Sequence, residues 1–154
     1  SSPSRTLENA VNYAWNKGVV LTGAAGNSGN QSKTYPGAYK NVIAVAATNN
    51  TEQKASFSSY GAKWVDVAAP GENIFSTFPN HPYKINKSLG YDFGSGTSMA
   101  TPMISATAAL IWTTSYGTSA SSVRSRLEST ADKIPGTGSY WFAGRVDAAA
   151  AVAP

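Results

Sequence analysis

Residues 94–102 read Gly94-Ser95-Gly96-Thr97-Ser98-Met99-Ala100-Thr101-Pro102. Two glycines free the backbone to turn sharply. The residues that follow, among them Met99, Ala100, Met103, Ile104, Ala108, Leu110, Ile111 and Trp112, surround a helix with small or apolar groups on every side. A helix apolar all round belongs in an interior. The pattern predicts one buried helix over about 97–114, starting near Ser98. Pro102 then falls near the first turn, where a missing N–H costs little. Ser98 stands where free backbone N–H groups and the positive end of the helix dipole favour developing negative charge. A lone serine in such a place is usually a helix cap. The same place also suits a serine nucleophile.

Upstream, Trp64–Ala69 (WVDVAA, closed by Pro70-Gly71), Val42–Ala47 (VIAVAA) and Val19–Leu21 read as buried strands. Residues 72–96 read as an aromatic-rich loop or hairpin, and Gly26–Gly37 as a Gly/Asn/Ser loop. Leu7, Ala10, Val11 and Ala14 recur at helical spacing, with Ser4 as N-cap and Gly18 as stop. Downstream, Ser121–Thr130 is an amphipathic helix with Val123 and Leu127 inward, and Asp147 caps a final Ala-rich turn. Continuous apolar strands joined through helices or long loops predict an α/β fold with a mainly parallel sheet. No repeat or linker divides the chain, so residues 1–154 read as one unit.

Of the 154 residues, 42% are apolar, enough for a substantial core. Charged residues make up 13%, about half the usual ~25%. No apolar run approaches the length of a transmembrane helix. The chain opens without Met and without a basic-then-apolar leader, so Ser1 is expected to be a processed or artificial end. The net charge of +4 comes from 12 basic and 8 acidic residues. These are scattered, densest at Lys84–Lys87, without the basic and aromatic stripe of a nucleic-acid binder. The absence of cysteine excludes disulfides, thiolate catalysis and Cys-ligated zinc. A single histidine, His81, excludes HExxH metal sites. No GxGxxG or GxxxxGK[ST] string supports nucleotide binding. An α/β-hydrolase reading needs GxSxG and a histidine after the serine, and Gly96–Ala100 offers neither. The sequons at Asn30, Asn49 and Asn86 are ordinary in so polar a chain.

The string GTSMATP at 96–102 resembles, residue for residue, the nucleophile motif of the subtilisin-like serine proteases. Ala24-Ala25-Gly26-Asn27-Ser28-Gly29 is similar to the family's oxyanion segment. Tyr35-Pro36-Gly37, Val42–Val45, Ser56-Phe57-Ser58 and Asp66–Gly71 match further blocks in the family's order. Thr130–Ile134, Gly136-Thr137-Gly138, Tyr140-Trp141 and Gly144-Arg145-Val146 resemble the thermitase branch in particular. The resemblance covers nearly the whole chain. It implies the C-terminal part of a three-layer α/β domain, with a mainly parallel sheet and a buried central helix starting at the nucleophile. It implies a secreted serine endopeptidase with Ser98 as nucleophile. The Asn27 side chain and the Ser98 backbone N–H would be the oxyanion donors. It also implies that Ala24, Ala25 and Gly26 wall the S1 pocket, with Thr34 near its base, and that large apolar P1 side chains are accepted.

Two departures accompany the resemblance. A subtilisin-like triad runs Asp, His, Ser along the chain, and nothing here matches the Asp or His motif. His81 lies in a His81-Pro82 loop, and Asp66 in an unrelated block. An N-terminal portion carrying Asp and His is therefore expected as a partner, beside a peptide or protein substrate and a propeptide or protein inhibitor. Neither nucleic acid nor membrane is expected. The competing reading is a truncated, non-catalytic module that binds peptide or merely holds a fold. The second departure is Met103, where relatives usually carry histidine. Finally, the resemblance implies a structural cation, calcium or sodium, on carbonyls near Gly37, Tyr39 and Val42 with Asp66 as its carboxylate. A partly buried Asp66 hydrogen-bonded to loop N–H groups is the equal alternative.

Overall fold

A computed structural model describes residues 2–84 and 88–154. The Asn86 sequon and much of the Lys84–Lys87 stretch lie outside the described residues. Helix α1 (Arg5–Asn16) forms where the apolar spacing predicts it. Extended Ser4 caps it, its side chain accepting the Leu7 N–H, and Gly18 takes a left-handed φ of +87° just past its end. Tyr39 ties this helix to the loop before the second strand, exchanging hydrogen bonds with the Ser4 backbone at 2.7 and 2.8 Å.

The central sheet is parallel, in the order β1 (Thr22–Ala24), β2 (Ile43–Thr48), β3 (Val67–Pro70). The side chains of β2 and β3 alternate between two cores. Ile43, Val45, Ala47, Val67 and Ala69 pack with Ile104, Ile111, Val123 and Leu127 on one face. Ala46 and Ala68 pack with Val65, Ile134 and Trp141 on the other. Burial on both faces explains why these strands read as unbroken apolar runs.

Two strand assignments shift. The first strand is Thr22–Ala24, not the apolar Val19–Leu21; Val19 is 48% exposed. Sheet packing overrides local hydrophobicity here. At Gly23 a side chain would come within 2.8 Å of Gly37 Cα and 2.9 Å of Val42 Cγ1, so only glycine fits the pairing. The third strand begins at Val67 rather than Trp64. Residues 61–65 form a turn, with the Trp64 and Val65 N–H groups donating to the Gly61 carbonyl. The Asp66 carboxylate, not a strand backbone, takes the Ala44 N–H at 2.7 Å.

The aromatic region resolves into an antiparallel hairpin, β4 (Ile74–Thr77) and β5 (Tyr91–Gly94). Helix α2 (Thr97–Trp112) lies on the sheet. It starts at Thr97, so Pro102 sits in the second turn, where the backbone bond it cannot donate is the one to the Ser98 carbonyl. The helix is not buried all round. Thr97, Ala100, Ile104, Thr107, Ala108 and Ile111 face the core, whereas Leu110 and Trp112 are 50% and 40% exposed. Its uniformly apolar sequence thus leaves one apolar face uncovered among the described residues. Helix α3 (Ala120–Ser129) buries Val123 and Leu127 as predicted. The short α4 (Ala148–Val152) is capped by Asp147 through the Ala150 N–H. No described helix is long and apolar enough to cross a membrane.

Candidate active site

The site grows from the junction between β3 and α2. After Pro70 the chain turns at Gly71, where a side chain would strike Ala47 Cβ at 2.6 Å and the Gly96 carbonyl at 2.9 Å. The Gly71 carbonyl accepts the Gly96 N–H at 2.8 Å, locking the approach to α2. Gly96 itself has φ 154° and ψ 159°, a conformation essentially restricted to glycine. No side chain caps the helix from Gly96. The first-turn N–H groups must therefore find partners elsewhere.

One partner comes from the loop after β1. Asn27 Oδ1 accepts the Thr97 N–H at 2.9 Å and the Thr97 hydroxyl at 3.0 Å. That hydroxyl accepts the Gly26 N–H at 3.1 Å, so it is fully used. Thr97 is wholly buried, whereas Asn27 and Ser98 are exposed. With its oxygen held inward, the Asn27 amide presents its NH₂ outward. Asn27 Nδ2 and the Ser98 backbone N lie 3.5 and 3.7 Å from the point a Gly96 Cβ would occupy. Two N–H donors thus flank one small space beside the exposed serine. Such an arrangement is suited to an oxyanion.

The sequence-predicted S1 residues lie together. A side chain on Gly26 would meet Thr34 Oγ1 at 2.8 Å and Ser59 Oγ at 3.3 Å, so Gly26 packs directly on Thr34. Ala25 is fully buried behind this wall, and Ala24 ends β1. Ser59 steadies the segment, its N–H donating to the Gly26 carbonyl at 2.9 Å and its hydroxyl accepting from the Ser28 N–H. A second hollow, of about 270 Å³, opens beside Ser98 between the hairpin and α2, lined by Ile74, Phe78, Met99 and Pro102 among others. Met103 is half-buried against the main core.

His81 is not part of this constellation. It is exposed, and its Nδ1 lies 3.3 Å from the carbonyl of its neighbour Pro82. No hydrogen bond among the described residues joins it to Ser98.

Gly37, Tyr39, Val42 and Asp66 do converge, on a pocket that the sequence left open to two readings. Asp66 Oδ1 pairs with Arg124 Nη2 at 2.7 Å, and Oδ2 accepts the Ala44 N–H at 2.7 Å. Arg124 Nη1 also donates to the Lys40 carbonyl at 2.8 Å, and its Nε pairs with Glu128. Burial pushes the Asp66 carboxyl above the usual carboxylate range, partly offset by Arg124 and the Ala44 N–H. The lone carboxylate already has a fixed positive partner, and no group of three His, Cys, Asp or Glu among the described residues could hold a metal. The donors do not fit a divalent cation in this arrangement. They favour the alternative of a carboxylate held by protein groups.

Sequence reasoning missed the positioning role of Thr97, although it lies inside the motif. Its signal was a hydroxyl at the start of an otherwise apolar helix. It also missed Arg124, which is 58 positions from Asp66 and has no local signature.

Comparison with known proteins agrees with this site. A model of the subtilase family matches residues 1–145. Thermitase of Thermoactinomyces vulgaris is 54% identical over 146 residues, covering 95% of this chain and 48% of the relative. Subtilisin BL of Lederbergia lenta is 44% identical over 150 residues, covering 97% of this chain and 52% of the relative. A solved protease of Pseudoalteromonas arctica superposes with a TM-score of 0.88 at 35% identity, covering 99% of this chain and 47% of that one. The chain spans about half the length of these relatives.

Proposed function

This chain belongs to the subtilase family, and on that premise we propose that it supplies the nucleophile and both oxyanion donors of a secreted serine endopeptidase. The observation that carries the reading is the convergence of Asn27 Nδ2 and the Ser98 N–H on one space beside the exposed Ser98 side chain. In the proposed reaction Ser98 Oγ attacks the scissile carbonyl, and a histidine base takes its proton. The carbonyl oxygen becomes an oxyanion between the two N–H donors. Collapse then expels the amine, which takes the proton back from the histidine, and water hydrolyses the acyl-enzyme by the same route.

A serine hydroxyl is a poor nucleophile without an adjacent base, and His81 stands apart. The base and its orienting aspartate therefore belong to an N-terminal portion. The surface where that portion would dock is supported by two features. One edge of β1 carries no strand among the described residues. Beside it, Val19, Ala109 and Trp112 line an open groove against α2. Uncovered apolar edges aggregate, so the chain is soluble with its complement bound. The Ala24–Gly26 wall and Thr34 leave an S1 slot for large apolar or aromatic P1 groups. Substrate main chain adds by strand pairing. A propeptide or protein inhibitor would use the same edge.

The test is to assay residues 1–154 with and without the N-terminal portion, using a chromogenic peptide and a phosphonylating label. Hydrolysis and labelling of Ser98 are expected only in the assembled protein, and Ser98→Ala should abolish both. Labelling absent from the assembly would favour a non-catalytic module. Robust hydrolysis by residues 1–154 alone, lost in His81→Ala, would show that the base lies in this chain. A cleavage profile restricted to Arg or Asp at P1 would refute the pocket assignment.

A further inference from the structure

The pocket around Asp66 is unusual for so lightly charged a chain. It is an open hollow of about 320 Å³ lined by Lys33, Lys40, Lys63 and Arg124. These are four of the 12 basic residues in the sequence. They come from three separate elements: the loop before β2, the turn before β3, and α3. Lys33 and Lys63 also border a neighbouring hollow of about 330 Å³, with Trp64 shared between the two.

The acids near this pocket are already used. Both Asp66 oxygens are bonded, one to Arg124 and one to the Ala44 N–H, and Glu128 is held by Arg124 Nε. Arg124 is thereby fixed in place, with its positive charge balanced from within. The three lysines are exposed and have no acidic partner among the described residues. Each ammonium offers three donors. Like charges lining one concave surface repel one another and raise the local concentration of anions. A calcium or sodium ion would meet the same field as repulsion.

We propose that this pocket binds a small, multiply charged oxyanion of the phosphate or sulfate class, through Lys33, Lys40 and Lys63. Charge-assisted hydrogen bonds from ammonium groups to such oxygens are among the stronger ones in proteins. The ligand would join the loop before β2 to the turn before β3. Because the lysines are exposed, the affinity falls as sodium chloride screens them. The inference is independent of the proposed catalysis, since it uses neither Ser98 nor Asn27.

The experiment is a titration of the assembled protein with inorganic phosphate, read by ³¹P line broadening and by melting temperature, against sodium chloride at matched ionic strength. Saturable broadening at millimolar phosphate, competed by sulfate, is the expected result. In Lys33→Gln/Lys63→Gln the affinity should fall roughly tenfold or more, with the melting temperature in chloride unchanged. General stabilisation by excluded salts would survive that double substitution, so its loss identifies the site. Lys40→Gln alone should weaken binding without affecting the fold. Non-saturable broadening, equal binding by the double variant, or calcium binding that displaces phosphate would each overturn the proposal.

Discussion

Thr97 holds Asn27 by its acceptor end: the buried Thr97 hydroxyl and backbone N–H lie 3.0 and 2.9 Å from Asn27 Oδ1. The amide can then present only its NH₂ to the cleft. A residue that touches no substrate thus sets the direction of a donor. Thr97→Val keeps the volume and removes the hydroxyl. In the assembled enzyme it should lower kcat roughly tenfold, equivalent to about 1.4 kcal/mol, with KM little changed. Thr97→Ser should restore most of the loss. A purely structural role for Thr97 would instead lower stability and leave kcat per folded molecule intact.

Asn27→Leu removes the donor itself. The loss known for such a donor in subtilisin is about 10²–10³ in kcat, and a similar drop is expected here. KM should stay nearly constant, because the donor acts chiefly on the transition state. Steady-state kinetics on an assembled enzyme checks both. A matching rise in KM would mean that Asn27 merely binds the ground state.

Gly96→Ala should fold poorly or be inactive. The new methyl would stand 3.5 Å from Asn27 Nδ2 and 3.7 Å from the Ser98 N, filling the space meant for the oxyanion. The backbone at φ 154° would also be strained. Where the variant folds, judged by circular dichroism, activity should fall below that of Asn27→Leu. Near-normal turnover would show that the oxyanion binds elsewhere.

Leu127→Ala tests the core rather than the site. Leu127 is fully buried with Val123, Ile104 and Ile111. Its truncation should cost about 2–5 kcal/mol, read from denaturant unfolding of the assembled protein. Ser98→Ala, at an exposed position, should leave stability nearly unchanged.

Asp66 has a pH signature. Its folded pKa is raised by burial above the unfolded value of 3.8. The native state therefore holds its proton more tightly than the unfolded chain. The stability this contributes is full below 3.8 and is lost as pH rises through the raised folded value. Asp66→Asn lacks that slope. Relative to the parent, the variant should gain stability across this window and then level off, as measured by melting temperature against pH. The opposite slope would mean that Arg124 outweighs burial.

The α/β class, four of the main segments and the motif around Ser98 were legible because they depend on neighbours in the chain. Period-2 burial, helix caps at Ser4 and Asp147, and glycines at sharp turns are local physics. The same holds for Val123 and Leu127, four positions apart on one helix face. What tertiary structure decided were contacts between distant segments. Gly23 is in a strand because Gly37 and Val42 press against it, which no apolar count along residues 19–24 could show. The exposed face of α2 was hidden for a related reason, since periodicity reports how apolar a face is and not whether anything covers it. Asp66 could have met a metal or an arginine. Only the fold, by bringing α3 against the turn before β3, made it Arg124. Local sequence determines what each segment can form, whereas the partner of a buried charge depends on which remote group arrives first with the opposite sign and the right geometry.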